Sequence, residues 1–414
     1  MYELYAKTKE NLRLASHGGY DICNPTAALL AHIFFDHRPV RKKIRRALKL
    51  ITLTPRYSCR DTLKGDAFIW HCDREDQAQL ALSIAKEISR KKKLNINFLP
   101  DIKKDSCKSL DWRAMGAALR ITLQCKQSLL ERIYIFCALC HSIKHVKAIK
   151  EAKILDRLTS VVSYNSANIP ECFLVNMCRQ RDIKTYSLQH GLYHRYRHER
   201  PIDIINYDNV TAQELLVWSD FCRNEIMEFH RELGRTPEFN ITVAGYINSI
   251  ERSAPISKSH QSDLTRIVCL LPGKRYVQDC TALLHLLRDL PSDYELTIRL
   301  HPLLADSREI REALPRNAIL DTNETLAQTL TQQRYDLAVG FNTTSLFEAT
   351  LFDIPCALYL APSLNLEVGD LPNFSNVEQL IALAQHPVST QALADFVLGA
   401  SIFRYADIIA ADGN

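Results

Sequence analysis

The strongest constraint in this chain is a repeated alternation of short apolar runs with longer segments of helical periodicity. The run from Lys184 to Leu188 follows a helical pattern, and the run from Glu214 to Trp218 precedes another. Strands that alternate with helices in this way are typical of parallel, doubly wound α/β sheets. The predicted strands are 66–72, 94–99, 158–164, 184–188, 214–218, 241–244, 266–271, 294–300, 318–320, 336–339 and 357–360.

A polar stretch that contains several serines, from Asn248 to Thr265, interrupts the alternation. Its composition is that of a linker, and a length of 414 residues already favours two domains. We therefore predict two Rossmann-like domains that face each other across a cleft. The first covers 1–248 and carries helical additions, the linker covers 249–265, and the second covers 266–414. A predicted helix at 390–409 is long enough to pack back on the first domain.

The charge and composition limit the class of ligand. A net charge of +5 favours an anionic ligand or surface but is too small to indicate a nucleic-acid-binding protein. The start of the chain is polar, no apolar run reaches the ~20 residues that span a bilayer, and the thirteen cysteines are scattered. We expect a cytoplasmic protein with reduced cysteines. The basic segment 40–51 is either a solvated helix or a peripheral contact with the inner face of the cytoplasmic membrane.

The segment 335–360 predicts a strand, a polar turn, a helix and a second strand. The turn carries Asn342, Thr343, Thr344 and Ser345, and Glu348 lies one turn inside the predicted helix. Hydroxyl groups and backbone N–H groups at the start of a helix can hold a phosphate. The same residues are also compatible with an ordinary capped connection between a helix and a strand.

Two other strand ends in the second half carry polar groups. Arg299, His301 and Pro302 stand at the end of the strand predicted at 294–300, and proline there fixes the direction of the backbone. Lys274 and Arg275 follow the strand predicted at 266–271, after a Pro-Gly turn. Two cations at a strand end suit a diphosphate or a carboxylate, although a basic surface turn would have the same composition.

The strand at 184–188 runs into a segment rich in His, Arg and Tyr. Gln189, His190 and Gly191 come first, and Arg195 and Arg197 follow. Glycine allows close approach of the backbone to a ligand, and His190 is placed for proton transfer or phosphate binding. His190, His194 and His198 share helical spacing, but no H-E-x-x-H motif accompanies them. No Asp-x-Asp pair occurs in the chain either, so we expect no metal and no cofactor other than a nucleotide-linked co-substrate.

Together, these motifs resemble those of the GT-B glycosyltransferases, especially bacterial enzymes of surface-polysaccharide synthesis. The group includes capsule and lipopolysaccharide transferases that use CMP-linked 2-keto sugars of the sialic acid or Kdo type, and teichoic-acid glycerophosphate transferases. The resemblance rests on QHG at 189–191, LHP at 300–302, NTTSLFEA at 342–349 and DIP at 353–355. It extends over most of 155–360.

The resemblance implies a role for each motif. His301 would contact the nucleotide, the turn from Asn342 to Ser345 would hold the phosphate, and Glu348 would bind the ribose. The first half would bind the glycan or glycolipid acceptor through Gln189, Gly191, Arg195 and Arg197. The acidic motif that often supplies the base in these enzymes is absent, which leaves His190, Glu199 and Asp220 as candidates for the catalytic group.

The resemblance therefore implies a metal-independent glycosyltransferase that moves a sugar from a nucleotide donor, with a CMP-linked 2-keto sugar as the expected donor. Three alternatives remain open at this point. They are a CDP-alditol phosphotransferase or polymerase, a nucleotide-sugar epimerase on the same two-domain plan, and a non-catalytic sugar-binding protein.

Overall fold

The computed structural model describes residues 1–57, 65–69, 82–86, 96–99, 107–246, 264–366 and 368–411. Residues 249–263 of the predicted linker lie outside these ranges. The remainder forms two sheets of six strands each and two short antiparallel ladders. The ladders pair Ser16–His17 with Tyr20–Asp21, and Leu53–Thr54 with Cys107–Lys108.

The first sheet is entirely parallel. Its strands are β1 (Gly65–Ile69), β2 (Ile96–Leu99), β3 (Leu158–Ser163), β4 (Lys184–Leu188), β5 (Glu214–Val217) and β6 (Asn240–Val243). They lie side by side in the order β2-β1-β3-β4-β5-β6. Consecutive apolar residues such as Val161 and Val162 are both buried because helices cover both faces of the sheet.

The helices of the first half are α1 (Tyr2–Asn11), α2 (Cys23–Phe34), α3 (Val40–Thr52), α4 (Trp112–Gln124), α5 (Leu129–Glu151), α6 (Glu171–Arg179), α7 (Ile205–Asp208) and α8 (Asp220–Glu232). A further helical stretch covers 82–86. The long helix α5 begins at a capping box formed by Ser128 and Glu131. Helices α2, α3 and α4 all pack against it, so α5 is the central support of the helical layer.

The second sheet is also entirely parallel. Its strands are β7 (Thr265–Leu270), β8 (Tyr294–Arg299), β9 (Ile319–Leu320), β10 (Leu337–Gly340), β11 (Cys356–Tyr359) and β12 (Asn373–Phe374). Their order is β9-β8-β7-β10-β11-β12. This is the 3-2-1-4-5-6 order of a dinucleotide-binding Rossmann sheet. The prediction of two doubly wound α/β sheets is confirmed.

The helices of the second half are α9 (Val277–Leu287), α10 (Arg308–Ala313), α11 (Leu326–Gln332), α12 (Ser345–Thr350), α13 (Val377–Gln385), α14 (Gln391–Leu398) and α15 (Tyr405–Ala411). The prediction of one helix over 390–409 is wrong. Gly399 adopts a left-handed backbone with φ of +63°, which ends α14, and the chain turns before α15 begins.

The end of α14 and the segment that follows it pack directly against the end of the first sheet. The hydroxyl of Ser219 donates to the carbonyl of Val397 at 2.7 Å, and the hydroxyl of Tyr405 donates to the carbonyl of Gly245 at 2.7 Å. A Cβ atom at Gly399 would lie 2.1 Å from the carbonyl oxygen of Trp218. A side chain at this contact would force two backbones apart, so glycine is required here.

We predict that Gly399→Ala lowers the free energy of unfolding by roughly 2–6 kcal/mol, because a strained φ adds to an overpacked contact. Thermal or urea unfolding followed by circular dichroism measures the change. Gly116→Ala is the matched control, since nothing lies within 4 Å of a Cβ atom there and the residue is in the helix α4. The control should gain about 0.5–1 kcal/mol. If Gly399→Ala were as stable as the native chain, the claim that glycine is required at this backbone contact would be wrong.

Candidate active site

Three loops of the second half meet at the carboxyl edge of its sheet. Leu270, the last residue of β7, lies level with Arg299 of β8 on one side and with Gly340 of β10 on the other. A Cβ atom at Gly340 would lie 2.6 Å from the carbonyl oxygen of Leu270, so glycine allows the strands to approach this closely. The strand order changes direction here, which is where open α/β sheets bind ligands.

A cleft of about 360 Å³ lies between these loops and the first half. Six of the predicted donor-site residues line it: Lys274, Arg275, His301, Asn342, Thr343 and Thr344. The facing wall belongs to the connection between β4 and β5 and carries Leu192, His194, Tyr196 and Asp203. The structure thus brings the Lys-Arg turn, the His-Pro strand end and the hydroxyl-rich turn to one place.

The ring of His301 stands beside Gly273, where a Cβ atom would lie 3.8 Å from Nε2 of the ring. The backbone N–H of Leu303 donates to Nδ1 of His301 at 3.2 Å. The neutral ring therefore carries its proton on Nε2. An N–H group at this position can donate to a phosphate oxygen. Pro302 begins the following 3₁₀ turn, Pro302–Leu304, and fixes the backbone after the histidine.

The residues of the hydroxyl-rich turn have two roles: Asn342 supports a neighbouring loop, and the two threonines line the cleft. Asn342 has a φ of +45°, and its side chain donates to the carbonyl of Ser363 at 2.9 Å and accepts from the N–H of Asn365 at 2.9 Å. The asparagine thus supports the neighbouring loop. Thr343 and Thr344 line the cleft. The helix that follows, α12, is only six residues long, so the hydroxyl groups matter more here than a helix dipole.

The opposite wall of the cleft holds a carboxylate that we did not predict. Asp203 is the only carboxylate among the described residues that line this cleft. Its Oδ2 atom lies 3.3 Å from Nη1 of Arg275, so an ion pair crosses the cleft. The same wall includes His194, whose Nδ1–H donates to the carbonyl of Arg195 at 3.0 Å. Burial lowers the pKa of His194, which keeps this ring neutral at physiological pH.

The two halves are also joined beside the cleft. The side-chain oxygen of Asn365 accepts from the backbone N–H groups of Arg197 at 3.1 Å and His198 at 3.3 Å. Because Asn342 holds the loop of Asn365, the turn of the second half is connected to the predicted acceptor segment of the first. The side chain of Arg197 is exposed.

Two predicted catalytic acids lie elsewhere. Asp220 begins α8, and its carboxylate pairs with Arg223 at 2.6 Å on the surface. Glu199 is exposed and does not line the cleft. His190 is half-buried and does not line the cleft; its Nδ1 lies 3.1 Å from the hydroxyl of Tyr193 and its Nε2 lies 3.2 Å from the side-chain nitrogen of Asn165. Glu199 and Asp203 belong to the same connection, 189–213, and Asp203 carried no motif that set it apart from Glu199.

Three of the predicted acceptor residues have structural partners in the first half. Gln189 is fully buried, and its side chain accepts from the N–H of Trp218 at 2.9 Å and donates to the carbonyl of Gly191. Gly191 needs its left-handed φ of +79° for this turn. Arg195 forms ion pairs with Glu225 and two further acids of α8, so its charge faces that helix.

Four predicted donor residues do not line the cleft: Pro302, which follows His301, and Arg299, Ser345 and Glu348. Arg299 pairs with Asp321 inside the second half. Ser345 begins α12, and its N–H donates to the hydroxyl of Thr343 at 3.3 Å. Glu348 accepts a hydrogen bond from the hydroxyl of Tyr246, which stands after the last strand of the first sheet. Burial raises the pKa of Glu348 above its usual range.

Within the part of the chain that the structure describes, no group of three or more His, Cys, Asp or Glu side chains could hold a metal ion. No helix in the described ranges is long and apolar enough to cross a membrane.

No protein-family model and no curated protein matches the chain. Among solved structures, the chain is similar to the lipopolysaccharide outer core galactosyltransferase WaaB in its apo form (15% identity, 84% of this chain and 94% of that chain covered, TM-score 0.46). It is also similar to the UDP-GlcNAc 2-epimerase of Neisseria meningitidis bound to UDP-GlcNAc (11%, 84% and 99%, 0.49). A third similar structure is Anabaena Alr3699/HepE in complex with UDP and glucose (10%, 84% and 99%, 0.48). At this level of likeness, the two Rossmann-like sheets are assigned from the strand order of the chain itself.

We predict that Glu348→Gln stabilises the protein at pH 8 and has little effect near pH 4. The folded-state pKa of Glu348 is raised, so its favourable contribution is present at low pH and is lost as the pH rises through that pKa. Glutamine keeps the acceptor for Tyr246 without the buried charge. Thermal unfolding of both chains across this pH range measures the difference. The control is Glu309→Gln, which replaces an exposed acid on α10 and should leave thermal stability unchanged at both pH values. A variant that is less stable than the native chain at pH 8 would contradict this account.

Proposed function

We propose that this protein is a nucleotide-sugar-dependent glycosyltransferase whose donor binds to the second half and whose acceptor binds to the first. The observation that carries the proposal is the cleft of about 360 Å³ at the switch point of a Rossmann sheet, with cations, a histidine and hydroxyl groups opposite one carboxylate. The volume lies within the range of ~300–1,000 Å³ that small-molecule sites occupy.

The second half supplies the groups that hold a phosphate. Lys274 and Arg275 bring two positive charges, Nε2–H of His301 brings a donor, and Thr343 and Thr344 bring hydroxyl groups. Fixed cations and donors of this kind can stabilise the charge on a departing phosphate without a metal ion. The finer proposal, a CMP-linked 2-keto sugar as donor, rests on the resemblance of the His301-Pro302 strand end to CMP-sugar transferases.

Asp203 is the base in this proposal. As the acceptor hydroxyl attacks the anomeric carbon, its proton passes to the carboxylate of Asp203 and the bond to the nucleotide phosphate breaks. The phosphate leaves with the bonding electron pair, next to Lys274 and Arg275. The products are the glycosylated acceptor and CMP, and Asp203 then releases its proton to water. This is general base catalysis by a group within reach of the attacking oxygen.

Donor binding would also free the carboxylate of Asp203 from its ion pair, so that it can act as the base. The carboxylate of Asp203 lies 3.3 Å from a guanidinium nitrogen of Arg275. The donor phosphate competes for the same guanidinium, and a phosphate accepts hydrogen bonds from arginine more extensively than one exposed carboxylate does. The ion pair would therefore open when the donor binds and leave Asp203 to receive the proton. The acceptor of this proposal is a capsule or lipopolysaccharide glycan.

We predict that CMP raises the melting temperature and that His301→Ala abolishes the rise. Saturation at 100 times the dissociation constant should add about 2.7 kcal/mol of stability. A thermal-shift panel of CMP, CDP and UDP measures the effect. Arg308→Ala, an exposed cation on α10, is the control and should keep the full shift.

A shift with UDP and none with CMP would refute the CMP-linked donor and leave the cleft as a nucleotide site. No shift with any nucleotide would refute the proposed function. Incubation with donor alone separates the epimerase, which would return an isomerised nucleotide sugar, from a transferase, which would release CMP slowly by transfer to water.

We predict that Asp203→Asn reduces the rate of this donor hydrolysis by roughly 100-fold or more, the usual contribution of a general base. The dissociation constant for CMP, measured by calorimetry, should stay the same or fall, because the competing carboxylate on Arg275 is gone. Glu199→Gln is the matched control from the same connection and should hydrolyse the donor at the native rate. A native rate in Asp203→Asn would exclude this residue as the base, and a fall in Glu199→Gln would return the role to Glu199.

A further inference from the structure

The outward face of α4 is apolar and exposed. Trp112, Leu119 and Leu123 are 71%, 50% and 66% exposed. Their spacing of seven and four residues places them on one side of the helix. The opposite side packs against α5 through Ala114 and Ala118, which are buried. The helix is therefore apolar on two faces, of which the fold covers only one.

The neighbouring helix α3 is strongly basic. Its sequence, VRKKIRRALKLIT, contains six cations and no acid, and Ala47 is its only buried residue. Arg41, Arg45 and Lys49 recur every four residues, so they share one exposed side of the helix. A helix of this composition is typical of segments that lie on an anionic membrane surface.

The two helices are fixed to the same part of α5. The ammonium of Lys144 donates to the carbonyls of Ile51 and Leu53 at the end of α3, each at 2.6 Å. One turn further along α5, Lys147 pairs with Asp111, the N-cap residue of α4, at 3.1 Å. The antiparallel ladder of Leu53–Thr54 with Cys107–Lys108 joins the two ends directly. The end of the basic helix therefore lies next to the start of the helix that carries the apolar stripe.

A groove of about 820 Å³ opens where the end of α3 meets the start of α4. Four cations (Arg56, Arg113, Lys144 and Lys147) and two carboxylates (Asp111 and Glu151) line it together with Trp112. Both arginines are exposed. Lys147 is paired with Asp111, so the two exposed arginines are the groups that can contact an anionic headgroup. The tryptophan beside them fits such a contact, because tryptophan prefers the boundary between headgroups and acyl chains.

We propose that this surface, formed by α3, α4 and the groove between them, binds an anionic lipid bilayer. The stripe of Trp112, Leu119 and Leu123 enters the headgroup boundary, and the cations of α3 contact the negative surface. Charge complementarity favours a membrane over a second copy of this chain, since α3 and α4 carry cations and no acids and two copies would repel each other. The proposal is independent of the proposed function, because it uses no residue of the cleft.

Vesicle sedimentation tests the proposal on the full chain. We expect binding to vesicles of phosphatidylcholine with about a third phosphatidylglycerol, and weak binding to phosphatidylcholine alone, because each cation near an anionic surface contributes about 1 kcal/mol. Raising the salt concentration should weaken binding, since it screens exposed charges. Tryptophan emission should shift to the blue when vesicles are added, and Trp112→Phe should abolish the shift.

Two sets of matched variants distinguish the contribution of the α3 cations to binding from that of the apolar stripe on α4. The triple change Arg41→Gln, Arg45→Gln and Lys49→Gln should weaken binding on the order of 100-fold. The same charge removed at Arg308, Arg311 and Arg316 in the second half should leave it unchanged. Leu123→Ser should reduce the bound fraction, whereas Val388→Ser, which alters an exposed aliphatic residue elsewhere (60% exposed), should not.

Four results would overturn the proposal. They are absence of binding to the phosphatidylglycerol vesicles, unchanged binding by the α3 triple variant, an emission shift that survives Trp112→Phe, and a dimer in sedimentation equilibrium that Leu123→Ser dissociates. The last would show that the stripe is covered by a second copy. Nucleotide thermal shifts measured on the same variants should match those of the native chain, so failure here is distinguishable from failure of the proposed function.

Discussion

The cleft depends on one contact between backbones: the segment from Gly399 to Ile402 packs directly against Trp218 and Gly245. A Cβ atom at Gly245 would lie 1.4 Å from the carbonyl oxygen of Ile402, and one at Gly399 would lie 2.1 Å from that of Trp218. This contact attaches the end of the chain to the first sheet, and it holds α14 against α8. Because both sheets then meet at their carboxyl edges, polar loops from each face the same space.

Charge is arranged differently on the two sides of that space. The second half brings cations and donors, whereas the first brings Asp203 and the neutral His194. An ion pair between Asp203 and Arg275 spans the cleft. An anionic ligand on Arg275 would therefore change the surroundings of the carboxylate, which links binding to proton transfer. The basic surface of α3 and α4 lies outside this arrangement and has its own physical basis.

Strand-end reasoning predicted that several polar groups of the second half would lie close together. Lys274, Arg275, His301 and Thr343 all follow parallel strands, and carboxyl ends of neighbouring strands share one edge, so their convergence needed no other information. The same reasoning failed for Glu199 and Asp220. In a long connection such as 189–213, the path of the backbone decides which acid enters the cleft, and no local pattern encodes that path.

The sequence by itself determined the two parallel sheets, since apolar periodicity and turn residues act over a few positions. It also determined which strand ends carry cations, histidine and hydroxyl groups. Only the tertiary structure decided that Arg195 and Arg299 pair with acids of their own half, and that Asp203 faces Arg275. It also decided that Gly399 divides the last helix. These outcomes depend on contacts between distant segments, whose geometry is set by packing and by close backbone approach rather than by neighbours in the chain.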